Sequence, residues 1–105
     1  MIPEKIKEVL KANWGEKADA LNCYAEIKFI DPLSSPWACY IFAMDESEEI
    51  VHCLFSIAHR GSEIISLNLQ DIYNSYNGEG EHPIIDEEFR RMRVTELLKR
   101  LNHDS

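Results

Sequence analysis

Nowhere in its 105 residues does the chain carry an apolar run of about 18 residues, so the pattern excludes a membrane-spanning helix. It has no internal repeat and no low-complexity tract. Cysteine is scarce: Cys23, Cys39 and Cys53 are the only ones, and no Cys-x-x-Cys occurs. An odd number cannot pair fully within one chain, and thiols in this pattern suit a reducing compartment. The common catalytic signatures are missing too. There is no Gly-x-Ser-x-Gly elbow, no His-Glu-x-x-His and no phosphate-binding P-loop. The opening "MIPEKIKEVLKANW" has charges every few residues, so it does not read as a secretory leader, and the expected compartment is the cytoplasm.

What is present suits one small domain. An apolar content of 45% can fill a core, but the chain is short for a large internal active site. The net charge is −8, unevenly spread. Residues 89–101, "FRRMRVTELLKRL", set Arg90, Arg91, Arg93, Lys99 and Arg100 against Glu96, a local net of +4 that leaves −12 for the rest. An acidic body of this kind repels nucleic acid in general and suits a basic partner or an imitation of DNA. It also serves plain solubility.

Ile6, Val9, Leu10 and Trp14 follow a helical stripe over residues 3–14, with Pro3 in the first turn and Gly15 as a stop. "EKADALN" reads as a linking segment. Residues 22–30 alternate, with Cys23, Ala25, Ile27 and Phe29 on one face of a half-buried strand. Residues 37–44, "WACYIFAM", are apolar on both faces, which predicts a central strand. A third strand over 50–58 puts Val51, Cys53, Phe55 and Ile57 toward the core, with His52 and Ser56 facing away. Gly61 provides a turn, and "EIISL" a short fourth strand. Short turns imply an antiparallel meander. Ser66 reads as the cap of a second helix with the stripe Leu69, Ile72, Tyr73 and Tyr76. "PII" resumes extended structure. Thr95 is placed to cap a last helix carrying Leu97, Leu98 and Leu101, with Val94 stapled to Leu98 and a frayed tail at 102–105. The expected fold is a single α+β domain. Its antiparallel sheet has three to five strands, with N-terminal, middle and C-terminal helices packed on it.

Between the first two strands lies "DPLSSPW", where Asp31-Pro32 and Ser35-Pro36 are turn starters and Trp37 enters the sheet. Around this loop "IKFIDPLSSPWACYIFAMD" resembles the Lys-apolar-Phe-x-Pro, polar loop, Trp-x-x-Tyr pattern of the domain of unknown function 2958 family. "IPEKIKEVLKANW" is similar to that family's opening helix. "SEIISLNLQDI" and "HPIIDEEF" resemble its middle and late segments. The chain departs from the pattern at "LFSIA", where the family strand is Gly-rich, at Ile65 and Ser66, and at Asp86, Glu87 and Glu88. The resemblance implies a small accessory protein of bacterial mobile elements such as plasmids and conjugative islands. It implies no established activity.

Tested residue by residue, the sequence assigns no catalytic, cofactor or metal residue. Neighbours on a strand point to opposite faces, so His52 and Cys53 cannot grip one ion. His59, His82 and His103 fall in a turn, a loop and a tail, as solvated residues do. Cys39 and Cys53 fall in apolar strands, where burial disfavours the thiolate that a nucleophile needs. The clustered acids of "DESEE" and "DEE" read as solvated turns, and "NGEGEH" is too acidic to cradle phosphate. Binding remains. Tyr24, Trp37, Tyr40 and Phe42 offer more aromatic area than a minimal core uses, and an uncovered part of that face would take a protein partner or a second copy. Alternatively Arg90, Arg91, Arg93, Lys99 and Arg100 hold phosphates while strand aromatics stack single-stranded bases, or the acidic body acts as a DNA mimic. The expected function is that of a non-enzymatic accessory or regulatory protein acting through protein contacts.

Overall fold

The computed structural model describes residues 2–15, 17–31, 37–57, 60–75 and 81–103. Helix α1 spans Glu4–Trp14, strands β1 and β2 span Tyr24–Ala25 and Ile27–Ile30, and β3 spans Trp37–Met44. Strand β4 is Ile50–Ile57, β5 is Gly61–Asn68, and helix α2 is Leu69–Asn74. Two short strands, β6 (Ile84–Ile85) and β7 (Met92–Arg93), precede helix α3 (Val94–His103). The main sheet has the order β5-β4-β3-β2-β6, antiparallel throughout, and β1 pairs with β7 in a separate ribbon. The architecture is α+β, and the 13.0 Å radius of gyration is that of one compact domain of about 100 residues. No helix among the described residues is long and apolar enough to cross a membrane.

Helices cover both faces of the sheet. On one, Ile2, Leu10, Leu69 and Ile72 pack over Ile27, Phe29, Cys39, Ile41, Val51 and Cys53. On the other, Leu97, Leu98 and Leu101 of α3 pack over Ala25, Tyr40 and Leu54. The doubly apolar pattern of β3 is therefore the signature of a strand buried on both sides. His52 and Ser56 do face away from the first core, as expected. They enter the second layer, His52 half-buried and Ser56 buried. His52 stacks on Trp14, with ring centroids 4.2 Å apart and planes 3° from parallel. It lies 2.7 Å from Ser66 Oγ, and Ser62 Oγ donates to Ser56 Oγ at 3.0 Å.

Irregularities set the local geometry. The pairing of β3 with β4 shifts between Ile41 and Ala43, so Phe42 and Ala43 turn to the same cluster with Cys23 and Val94. Asn13 Nδ2 donates to the Phe42 carbonyl at 2.9 Å, which ties the end of α1 to this bulge. The alternating stretch 22–30 keeps Cys23, Ala25, Ile27 and Phe29 buried, but it breaks at Glu26. Ala25 then serves the α3 layer, and Ile27 the α1 layer.

Several local readings are corrected. Residues 17–22 form a 3₁₀ helix, Lys17–Asn22, where a plain linking segment was expected. Ser66 does not cap α2. Strand β5 runs on to Asn68, whose side chain accepts from Gln70 N at 2.9 Å. Thr95 lies inside α3 and donates to the Leu21 carbonyl, so its hydroxyl is used for a tertiary contact, not a cap. Val94 and Leu98 do share a cluster. Val9 is 40% exposed, while Ile6, Leu10 and Trp14 carry the helix contact. Gly61 has φ +101°, the positive value its turn position calls for. The readings of loop residues 32–36, of His59, of Tyr76 and "NGEG", and of the tail beyond residue 103 lie outside the described residues.

Candidate functional site

The β1–β7 ribbon brings residues far apart in sequence into one corner. Pairing puts Tyr24 opposite Arg93 and Ala25 opposite Met92, and Val94 N donates to the Cys23 carbonyl at 2.9 Å. Two guanidinium groups consequently lie over the Tyr24 ring, Arg91 at 4.0 Å and Arg93 at 5.2 Å from its centroid. Arg93 Nε donates to Tyr24 Oη at 3.4 Å. Arg91 is held by a fork on Glu26, with Nε at 2.9 and 3.2 Å and Nη2 at 2.7 Å from the carboxylate oxygens. The Glu26 side chain is 8% exposed and that of Arg91 57% exposed, so one end of the pair is anchored and the other faces outward. The hydrogen bond to Glu26 holds Arg91 further toward its charged form.

Beside this corner is a cleft of about 320 Å³, lined by Val9, Ala12 and Asn13 of α1 and by Asn22, Cys23, Tyr24, Glu26 and Arg91. The misfit of Val9 to the core stripe is explained here, since its exposed side chain forms part of the cleft wall. Helix α1 supplies one wall because Asn13 is fixed to the bulge. The opposite wall is the ribbon.

The structure divides the sequence-predicted residues. Tyr24, Arg91 and Arg93 come together, although they belonged to two separate proposals, one aromatic and one cationic. Tyr40 and Phe42, 6% and 2% exposed, are buried under α3 and beside the bulge and present no surface. Trp37 is half-buried against Phe55 at 6.1 Å, on the sheet face away from Tyr40. The four aromatics therefore form no common face. The cations are also split. Arg90, Arg91 and Arg93 precede α3, whereas Lys99 and Arg100 lie exposed on it. No ion pair of Arg90, Arg93, Lys99 or Arg100 is formed among the described residues.

Sequence reasoning missed Glu26, Asn13 and Asn22. Glu26 had one signal, a carboxylate inside a strand, but its partner lies 65 residues away. Two acids read as mere solvation are structural. Glu48 bridges Lys7 at 2.8 Å and Lys11 at 2.7 Å. Asp45 accepts from Ser47 Oγ and from the backbone N–H of Glu49 and Ile50. Its neighbour Cys53 and burial in the core push the Cys39 thiol far up from its ordinary pKa. The described residues contain no group of three or more His, Cys, Asp or Glu arranged to hold a metal ion. No protein-family model, curated protein or solved structure matches the chain.

Proposed function

We propose that this protein is a small non-catalytic accessory or regulatory factor that works through protein contacts, with the Tyr24–Arg91–Arg93 corner and its cleft as the contact surface. The observation that supports this reading is the Arg91–Glu26 fork under the Tyr24 ring. Tyrosine and arginine dominate the energetics of protein interfaces, and an arginine already held in place loses little freedom on binding. The chain as a whole carries a net charge of −8, and against that balance Arg93 and Arg91 beside Tyr24 make a cationic and aromatic spot suited to an acidic segment of a partner protein. The setting implied by the family resemblance, bacterial mobile elements in a host cytoplasm, belongs to the same proposal.

A second reading keeps one observation in its favour. Arg90, Arg93, Lys99 and Arg100 form no ion pair among the described residues, which leaves them open to phosphates. Against it, the charge of Arg91 is already met by Glu26, and the net charge is −8. The DNA-mimic reading is weakened because Glu26, Asp45, Glu48 and Asp86 are engaged internally.

The test is affinity capture with wild type, Tyr24→Ala and Arg93→Glu, with protein and nucleic acid quantified in the same eluate. A stoichiometric protein that survives nuclease and is lost with both variants supports the proposal. Nucleic acid retained by wild type and lost with Arg93→Glu selects the second reading. A partner held equally by all three moves the contact surface elsewhere.

A further inference from the structure

Strand β5 closes one end of the main sheet. All eight residues from Gly61 to Asn68 pair with β4 on one side. On the other side no strand pairs with it among the described residues. The backbone N–H and C=O groups of alternate residues are left pointing outward, and these form a template for another strand. Gly61, Glu63, Ile64 and Ser66 are exposed, Ile64 at 42%. Edges in monomeric proteins are usually kept apart by lysine, proline, short length or bulges. This one is long, unbulged, free of proline and lysine, and carries a single charge, Glu63.

We infer that β5 is a self-pairing edge, and that a second copy of this chain occupies it in antiparallel register about a two-fold axis through Ile65. A second copy fits this edge because the strand's one charge, Glu63, can be kept apart from its own copy in the pairing. Two copies related by a two-fold axis pair antiparallel, which continues the sense of the existing sheet. Opposite residues must have their backbone groups on matching sides, both outward or both toward β4, so only registers centred on a residue are available. Centring on Ile64 or Ile65 uses nearly the whole strand. With Ile65 at the centre, Glu63 faces Leu67 and lies four residues along the strand from its own copy, about 14 Å and beyond the screening length at physiological salt. Centring on Ile64 halves that separation, and centring on Glu63 sets the two carboxylates face to face. The Ile65 register also pairs Ile65 with itself. It sets Ile64 opposite Ser66 and diagonal to the other Ile64, which covers an exposed apolar side chain. The contact is one strand wide, small for a permanent dimer, so the expected species is a reversible dimer. This surface is separate from the Tyr24 corner and does not rest on it.

Sedimentation equilibrium from micromolar to millimolar protein tests this, with wild type beside Ile64→Lys. Wild type is expected to dimerise reversibly, and the variant to associate about tenfold or more weakly because two lysines meet near the axis. Its far-UV circular dichroism reports whether it folds. A wild type that stays monomeric overturns the inference, as does a folded variant that dimerises as tightly. If the variant does not fold, amide exchange of the wild type decides. Slowing of alternate β5 amides as protein concentration rises supports the pairing, and rates independent of concentration overturn it.

Discussion

Glu48 Oε2 lies 2.7 Å from Lys11 Nζ, across the junction of α1 with the β3–β4 turn. Lys7, one turn earlier, reaches the other carboxylate oxygen at 2.8 Å. Glu48 is held at φ +63°, a left-handed conformation unusual for a residue with a side chain. The turn thereby aims its carboxylate at two lysines spaced i and i+4 on the helix.

The pH dependence of stability follows from that contact. Hydrogen bonds from Lys11 and then Lys7 hold Glu48 down at about 2, against an ordinary 4.5. A depressed carboxylate stabilises the fold above its unfolded pKa and loses that contribution as pH falls from about 4.5 through about 2. Asp45 is also lowered, chiefly by the Ile50 N–H, and adds to the same acid limb. Lys7 and Lys11 are raised by Glu48, so their share is present below their ordinary 10.5 and lost as pH rises past it. Urea midpoints measured across pH are expected to fall at both extremes, and Glu48→Gln is expected to flatten the acid limb.

Phe42→Ala is expected to destabilise the protein by about 3–5 kcal/mol, the usual cost of emptying a fully packed aromatic site. Phe42 sits at the bulge, 2% exposed, between Cys23, Ala43 and Val94. Chemical denaturation checks the magnitude. A cost below about 1 kcal/mol would show that the site is not packed as described.

Thiol labelling separates the three cysteines. Cys23 is 8% exposed on the cleft wall, whereas Cys39 and Cys53 are 1% and 0% exposed in the first core. In the native protein Cys23 is expected to react first. Cys39 and Cys53 are expected to react only at the rate of unfolding. Mass spectrometry after a short pulse of an aromatic disulfide reagent reads the order directly.

Asn68→Ala removes the side-chain acceptor for Gln70 N and is expected to cost about 1 kcal/mol. Ser66→Ala leaves that cap intact and removes only the contact with His52. If the two variants melt alike, Asn68 is not the effective cap.

Periodicity made much of this fold legible. Strand β3 begins and ends at the residues its apolar run predicts, and β4 differs from expectation only at the boundary of the described residues. These strands are legible because burial imposes a period of two or a continuous apolar run on the chain itself. Helix caps were less so. Ser66 and Asn68 both offer a cap side chain, and the choice between them depends on how far β5 stays paired with β4. The candidate site was legible only as fragments. Tyr24 stood out as an aromatic and Arg91 as a cation, with nothing local to join them.

The residues by themselves determined the class: a helix, a meander of antiparallel strands, a further helix pair, and a core rich in aliphatic and aromatic side chains. Those features follow from local spacing and from the free energy of removing apolar area from water. Only the tertiary structure decided which face each aromatic joined and which charges met. Glu26 finds Arg91, and Glu48 finds Lys7 and Lys11, through strand pairing and helix packing that bring distant segments together. The pairing of β1 with β7 turns Tyr24, Arg91 and Arg93 into one corner, because it sets Tyr24 opposite Arg93 and brings Arg91 over the same ring.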